Sequence, residues 1–296
     1  MMRLIVGLCL VGVAGLGGFL LVTRPERGDA AEMSALTGDA TRGQQVFWAG
    51  GCASCHAAPG AEGDARLVLS GGLRLTTAFG TFIAPNISPD PVQGIGTWSV
   101  ADLDNAMRHG TSPEGDHYYP AFPFTSYANA TAQDVADLRV FLATLPPSDR
   151  ASEPHELSFP FNQRLLLGGW KMLYGGAGWV VTGNLSPEET RGRYLVEGLG
   201  HCSECHTPRG MLGGRDVSRW LGGGPNPEGK GKIPNITPAH LDWSASDVAE
   251  YLKSGFTPDF DSAGGSMADV VTNISHLPDA DRLAIAAYLA KVPPVQ

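Results

Sequence analysis

Two short stretches carry residue types at a spacing that does chemistry. "GGCASCHAAPG" (residues 50–60) sets Cys52, Cys55 and His56 in a row, and "GHCSECHTPRG" (200–210) sets Cys202, Cys205 and His206 in the same order. A zinc site sharing both cysteine pairs would leave each half of the chain incomplete alone and would not explain the histidines. A redox disulfide wants a strand-to-helix setting, which "VFWAGGCASC" does not offer, and it too leaves the histidines idle. The third chemistry uses every residue: C-x-x-C-H is the attachment pattern of c-type haem. Residues three and four apart share one face of a helical turn. Two thiols can therefore bond two vinyl groups while the adjacent imidazole reaches the iron. Two covalently bound haem c groups are expected, one on Cys52 and Cys55 with His56 on iron, the other on Cys202 and Cys205 with His206.

A sixth iron ligand must come from elsewhere, and methionine there raises the reduction potential. Met267, twelve residues beyond Gly255 in "SGFTPDFDSAGGSMADVV", is the candidate for the second haem. Met211 follows His206 too closely to cross to the other face. In the first half the same count from Gly110 lands on Phe122, in "YYPAFPFTSY", and a phenyl ring cannot ligate iron. The first haem is then five-coordinate or takes another ligand. His117, Met107 and His109 are the candidates, with His117 favoured.

The elements that hold these residues are duplicated. "RGQQVFWAGGCASCH" (42–56) answers "RGRYLVEGLGHCSECH" (191–206), "APNIS" (84–88) answers "IPNIT" (233–237), "TWSVADLDNAMRHG" (97–110) answers "DWSASDVAEYLKSG" (242–255), and "VFLATLPP" (140–147) answers "AYLAKVPP" (287–294). Four blocks in one order mean a duplicated domain. Ser99 with Asp102, Ser244 with Asp247 and Thr131 with Asp134 have the spacing of helix N-caps. Each half closes on an apolar helical stripe that Pro146–Pro147 or Pro293–Pro294 terminates. The reading is mainly α with long loops: two tandem domains over 38–147 and 187–296, joined by a linker over 148–186. Within the linker, "RLLLGGWKMLYGGAGWVV" (164–181) is too broken by glycine for a membrane span and reads as a helix packed between the domains, with an interfacial segment as the alternative.

Residues 1–30 contain "LIVGLCLVGVAGLGGFLLV" (4–22), nineteen residues without a charge, or roughly 28 Å of helix. This is the size of a transmembrane anchor. A cleaved export signal ending near Ala30 is the alternative, and either sends the rest across the inner membrane. The fifth cysteine, Cys9, sits inside this stretch as an apolar helix residue. A formal charge of −9 without a basic cluster excludes nucleic acid as a partner.

The two C-x-x-C-H sites, "APNISPD" (84–90), "GIGTWS" (94–99), "AMRHGTSPEG" (106–115) and "NITP" (235–238) together resemble the cytochrome c subunits of membrane-bound bacterial alcohol and gluconate dehydrogenases, over residues 38–294. The resemblance implies small helical domains like class I cytochrome c, membrane association, and electron transfer from a periplasmic dehydrogenase toward a quinone, another cytochrome or an oxidase. Those subunits carry three haem domains where this chain has two, and methionine where it has Phe122. The expected function is therefore an electron relay anchored in the inner membrane with its haem domains in the periplasm. The alternatives are a two-haem peroxidase-like enzyme using an open first haem, and a haem-based sensor.

Overall fold

The computed structural model describes residues 2–226 and 231–296. Helix α1 (Met2–Val22) is apolar apart from Arg3, and nearly all of its described side chains are exposed. Among the described residues it is the one helix long and apolar enough to cross a membrane. The short α2 (Ala30–Ala35), capped by the Asp29 carboxylate, leads into the first domain.

That domain comprises α3 (Ala40–Ala49), α4 (Cys52–His56), α5 (Val100–His109), α6 (Phe124–Tyr127) and α7 (Ala132–Leu142). Helix α8 (Leu166–Tyr174) lies in the linker. The second domain repeats the plan with α9 (Pro187–Arg193), which runs on as a π-helical turn over Tyr194–Leu199, then α10 (Ser203–His206), α11 (Ala245–Ser254), α12 (Ser266–Ile274) and α13 (Asp279–Leu289). The expected caps form: Ser99 and Asp102, and Ser244 and Asp247, exchange bonds as full capping boxes, while the Thr131 hydroxyl accepts from the Asp134 amide.

The first and last helices of each domain cross at glycine. A Cβ on Gly43 would lie 2.1 Å from the Asp137 carbonyl oxygen, and one on Gly192 would lie 1.9 Å from that of Ala284. No side chain fits at either crossing. The preceding arginine then ties the pair from outside: Arg42 donates to Asp137 at 2.7 and 2.9 Å, and Arg191 to Asp281 at 2.8 and 2.7 Å. The repeated "RG" is thus a helix-crossing device. Phe47, Leu138, Leu195 and Tyr288 belong to one buried core that runs through both domains.

Short strands interrupt the helical reading. β1 (Arg74–Thr77) and β2 (Gly80–Ile83) form an antiparallel hairpin with Arg74 opposite Ile83, and β3 (Glu156–Leu157) from the linker extends it. β4 (Gly224–Pro225) pairs with β5 (Lys232–Ile233) in the second domain. Strands of two to four residues are too short to show alternation, which is why they do not stand out in sequence.

Candidate haem-binding sites

Each C-x-x-C-H stretch forms a single helical turn, and each histidine is oriented by the same partner. His56 Nδ1 lies 2.8 Å from the Pro85 carbonyl oxygen, and His206 Nδ1 lies 2.9 Å from that of Pro234. An Nδ1–H donated to a carbonyl leaves the lone pair of Nε2 open, which is the tautomer an iron ligand needs. Burial also pushes both imidazoles below their ordinary value and so favours the neutral ligand form. The turn's own carbonyl is held too: His56 accepts from the Gly71 amide and His206 from the Gly223 amide, each at 2.7 Å.

The "PNIS" and "PNIT" blocks explain themselves here. Proline supplies the carbonyl for histidine, while the next residue, asparagine, fastens the loop to the chain beyond the last helix. Asn86 Nδ2 donates to the Ser148 and Arg150 carbonyls, and Asn235 Nδ2 to that of Val295. The block therefore ties the histidine's partner to the end of each domain.

The donor set fits a c-type haem. Two thiols and an imidazole with a free Nε2 leave one helical turn in each domain, and no disulfide consumes the cysteines. Burial pushes the Cys52 thiol up to about 12, Cys55 up to about 11 and Cys202 up to about 12, so unbonded they stay protonated. Among the described residues no cluster of three or more His, Cys, Asp or Glu side chains forms another metal site.

The loop leading to α6 in the first domain and to α12 in the second has the same hydrogen-bond register. Thr111 bridges His117 as Phe256 bridges Ser262, and the Tyr118 amide donates to Gly110 as the Ala263 amide donates to Gly255, all offset by 145 residues. Met267, half-buried at the start of α12 and packed against the core, therefore corresponds to Phe122. The Phe122 ring packs against Tyr118 and Tyr127. His117 is buried, but its Nε2 lies 2.9 Å from the Thr23 carbonyl oxygen at the end of α1, and its Nδ1 has no partner. Its Nε2 is thus turned to the base of α1. Met107 is buried inside α5, and His109 Nε2 lies 3.6 Å from Asp104.

The two motifs face one another, the first resting on α12 of the second domain and the second on α6 of the first. Ser54, inside the first motif, accepts from Asn273 of α12 at 2.5 Å, and Arg66 bridges Asp269 and Asn273 of the same helix. Glu204, inside the second motif, accepts from Ser126 of α6 at 2.8 Å and Thr125 at 3.1 Å. Arg209 and Arg215 flank its carboxylate at 2.5 and 3.2 Å. Trp48 stacks on His276 at 3.8 Å, and the Tyr127 hydroxyl donates to Gly50. The Cys205 thiol is close enough to help raise the pKa of Cys55. The sequence reading passed over Glu204, whose only signal is a charge at a variable position between the two cysteines.

A cytochrome c family model matches residues 40–146 and 190–293. The chain is 71% identical over 290 residues to a protein named "Diheme cytochrome c-type" from Cereibacter sphaeroides, covering 98% of each. It is 36% identical to the fructose dehydrogenase cytochrome subunit of Gluconobacter japonicus, over 86% of this chain and 52% of that one. With the gluconate 2-dehydrogenase cytochrome c subunit of Pantoea cypripedii the identity is 35%, over 84% of this chain and 58% of that one. The chain thus spans somewhat more than half the length of these two dehydrogenase subunits. Two matched regions, each built around a C-x-x-C-H turn whose histidine is held by a proline carbonyl, make this chain a member of the cytochrome c family with two haem-binding domains.

Proposed function

We propose that the chain is a membrane-anchored, periplasm-facing dihaem cytochrome c that relays single electrons from a dehydrogenase to a respiratory acceptor, either a quinone, another cytochrome or an oxidase. Haem supplies reversible one-electron chemistry, and the protein supplies attachment, orientation and electrostatics. Cys52 and Cys55 would hold one haem and Cys202 and Cys205 the other, with His56 and His206 on the irons and Met267 opposite His206. The observation that carries the relay is the approach of the two motifs, the first seated on α12 and the second on α6. It favours rapid passage of an electron between the sites. The dehydrogenase donor is supported by the names of the relatives, and the anchor by α1.

Spectropotentiometry of the purified full-length protein is the test. Two one-electron components with haem absorbance are expected, the one carrying Met267 at the higher potential. A single component, or a stoichiometry of one haem per chain, would overturn the relay.

Phe122 carries a second reading. A phenyl ring stands where the second domain has its thioether, and His117 is turned to Thr23. The first haem would then keep an open face and serve a peroxidase-like reaction fed by the second. Carbon monoxide shifting half of the reduced absorbance, with peroxide turnover, would favour this enzyme. Ligand-insensitive spectra at both haems would remove it.

A further inference from the structure

Helix α8 crosses the end of α1 through a pair of glycines. A Cβ on Gly168 would lie 2.5 Å from Thr23, and one on Gly169 would lie 3.3 Å from the Phe19 ring. Phe19 is four residues, or about 6 Å of helix, short of Thr23. If α1 spans the bilayer, α8 therefore sits at the depth where headgroups meet acyl chains.

The side chains of α8 divide accordingly. Its cation is used internally: Lys171 donates to the His109 and Gly110 carbonyls at 2.8 and 2.7 Å and lies 4.8 Å from the Phe124 ring centre. Arg164, just ahead of the helix, donates to the His117 carbonyl at 2.8 Å. The opposite face, at positions 165, 166, 169, 172 and 173, follows helical spacing and carries no charge. Its Met172 and Leu173 are 62% and 68% exposed. The patch continues on the second domain. Trp170 donates to the Leu212 carbonyl at 2.8 Å, and Met211 beside it is 95% exposed. Water is a poor solvent for such a surface, and its continuity with α1 says what covers it.

We propose that the exposed face of α8, with the Met211–Leu212 loop, lies in the outer interface of the bilayer as a second membrane contact beside α1. An interfacial helix buries its apolar face by about 5–10 Å, which matches the depth set by Phe19. Trp170 and Tyr174 sit on this helix, as aromatic residues do at membrane interfaces. The contact holds the first domain at a fixed orientation to the membrane: His117 meets Thr23, Arg27 just beyond α1 donates to the Pro113 carbonyl at 2.6 Å, and Lys171 ties α8 to the same domain. It rests on the reading of α1 as an uncleaved anchor.

The test uses the full-length holoprotein in vesicles of phosphatidylcholine and phosphatidylglycerol, in a Cys9→Ser background whose intact haem absorbance reports folding. Nitroxide spin labels are placed singly at Met172→Cys, at Leu10→Cys in α1, and at Val92→Cys, which is 81% exposed on the first domain. Collision with oxygen and with a water-soluble nickel chelate is then compared. The labels at 10 and 172 should both favour oxygen several-fold over the label at 92. A label at 172 that meets the nickel chelate as freely as that at 92 would overturn the contact while leaving the anchor in place. One shielded from both reagents would mean that a protein partner or a second copy covers α8, and it overturns the contact equally. Aqueous behaviour at 10 would remove the anchor; with lipid exposure at 172 it would leave α8 as the membrane contact.

Discussion

Replacing Glu204 by glutamine should loosen the junction between the two haem domains. The carboxylate is 12% exposed and accepts from Arg209, Ser126 and Thr125, with Arg215 at 3.2 Å and itself 15% exposed. The amide keeps one acceptor oxygen but turns N–H donors toward two guanidinium groups. Hydrogen bonds to charged groups contribute about 1.5–3 kcal/mol each, and stranding a buried partner costs about 3–5 kcal/mol. Because Arg209 is 32% exposed, water recovers part of that loss. The expected cost is about 2–3 kcal/mol at neutral pH, or about 5–10 °C in a melt followed by far-ultraviolet circular dichroism and haem absorbance. The pH dependence has a definite sign. Burial alone would raise the Glu204 pKa, but Arg215 and Arg209, with the Ser126 bond, outweigh it and hold the carboxyl below its ordinary value. The unfolded carboxyl, near about 4.3, takes up a proton first as pH falls. The stabilisation is therefore complete above that value and fades as pH drops through the folded one. The gap between wild type and Glu204→Gln should accordingly narrow in acid. A gap under about 0.5 kcal/mol at pH 7, typical of an indifferent surface change, would refute the reasoning, as would a gap that acid leaves unchanged.

Met267→Ala should lower the potential of one haem and leave the other in place, with every 59 mV of change shifting the electron distribution about tenfold; equal loss at both in a redox titration would contradict the domain assignment. Phe122→Met should raise the potential of the other haem and abolish carbon monoxide binding to it, as read from the reduced spectrum. Gly192→Ala forces a methyl to 1.9 Å from the Ala284 oxygen and should cost about 1–3 kcal/mol in chemical denaturation. The double change Cys52→Ser with Cys55→Ser should halve the covalent haem measured per chain and leave a single redox component.

Much of this was legible in the sequence because it is local. A thiol pair and an imidazole reach one ligand only if they share a helical turn, so the order Cys, Cys, His names the chemistry by itself. The caps at Ser99 and Ser244 are equally local, one hydroxyl answering an amide three residues on. Duplication was legible as well, since both copies keep the same landmarks. His117 shows the limit. It stands in the right stretch for an iron ligand, yet its ring is committed to Thr23, 94 residues earlier in the chain. The hairpin of β1 and β2 escaped because each four-residue strand holds only two repeats of the alternation that would reveal it.

From the sequence alone follow two haem-binding turns, two helical domains, an apolar first helix, and a phenylalanine in the first domain at the position of Met267 in the second. Each depends on neighbours within a turn or two, or on comparing one half with the other. Only the tertiary structure decided that Pro85 and Pro234 orient the histidines, that the first motif rests on α12 through Asn273 and the second on α6 through Glu204, and that Gly168 and Gly169 bring α8 against α1. These contacts join residues tens to hundreds of positions apart. Their partners are chosen by packing, and no local spacing encodes that choice.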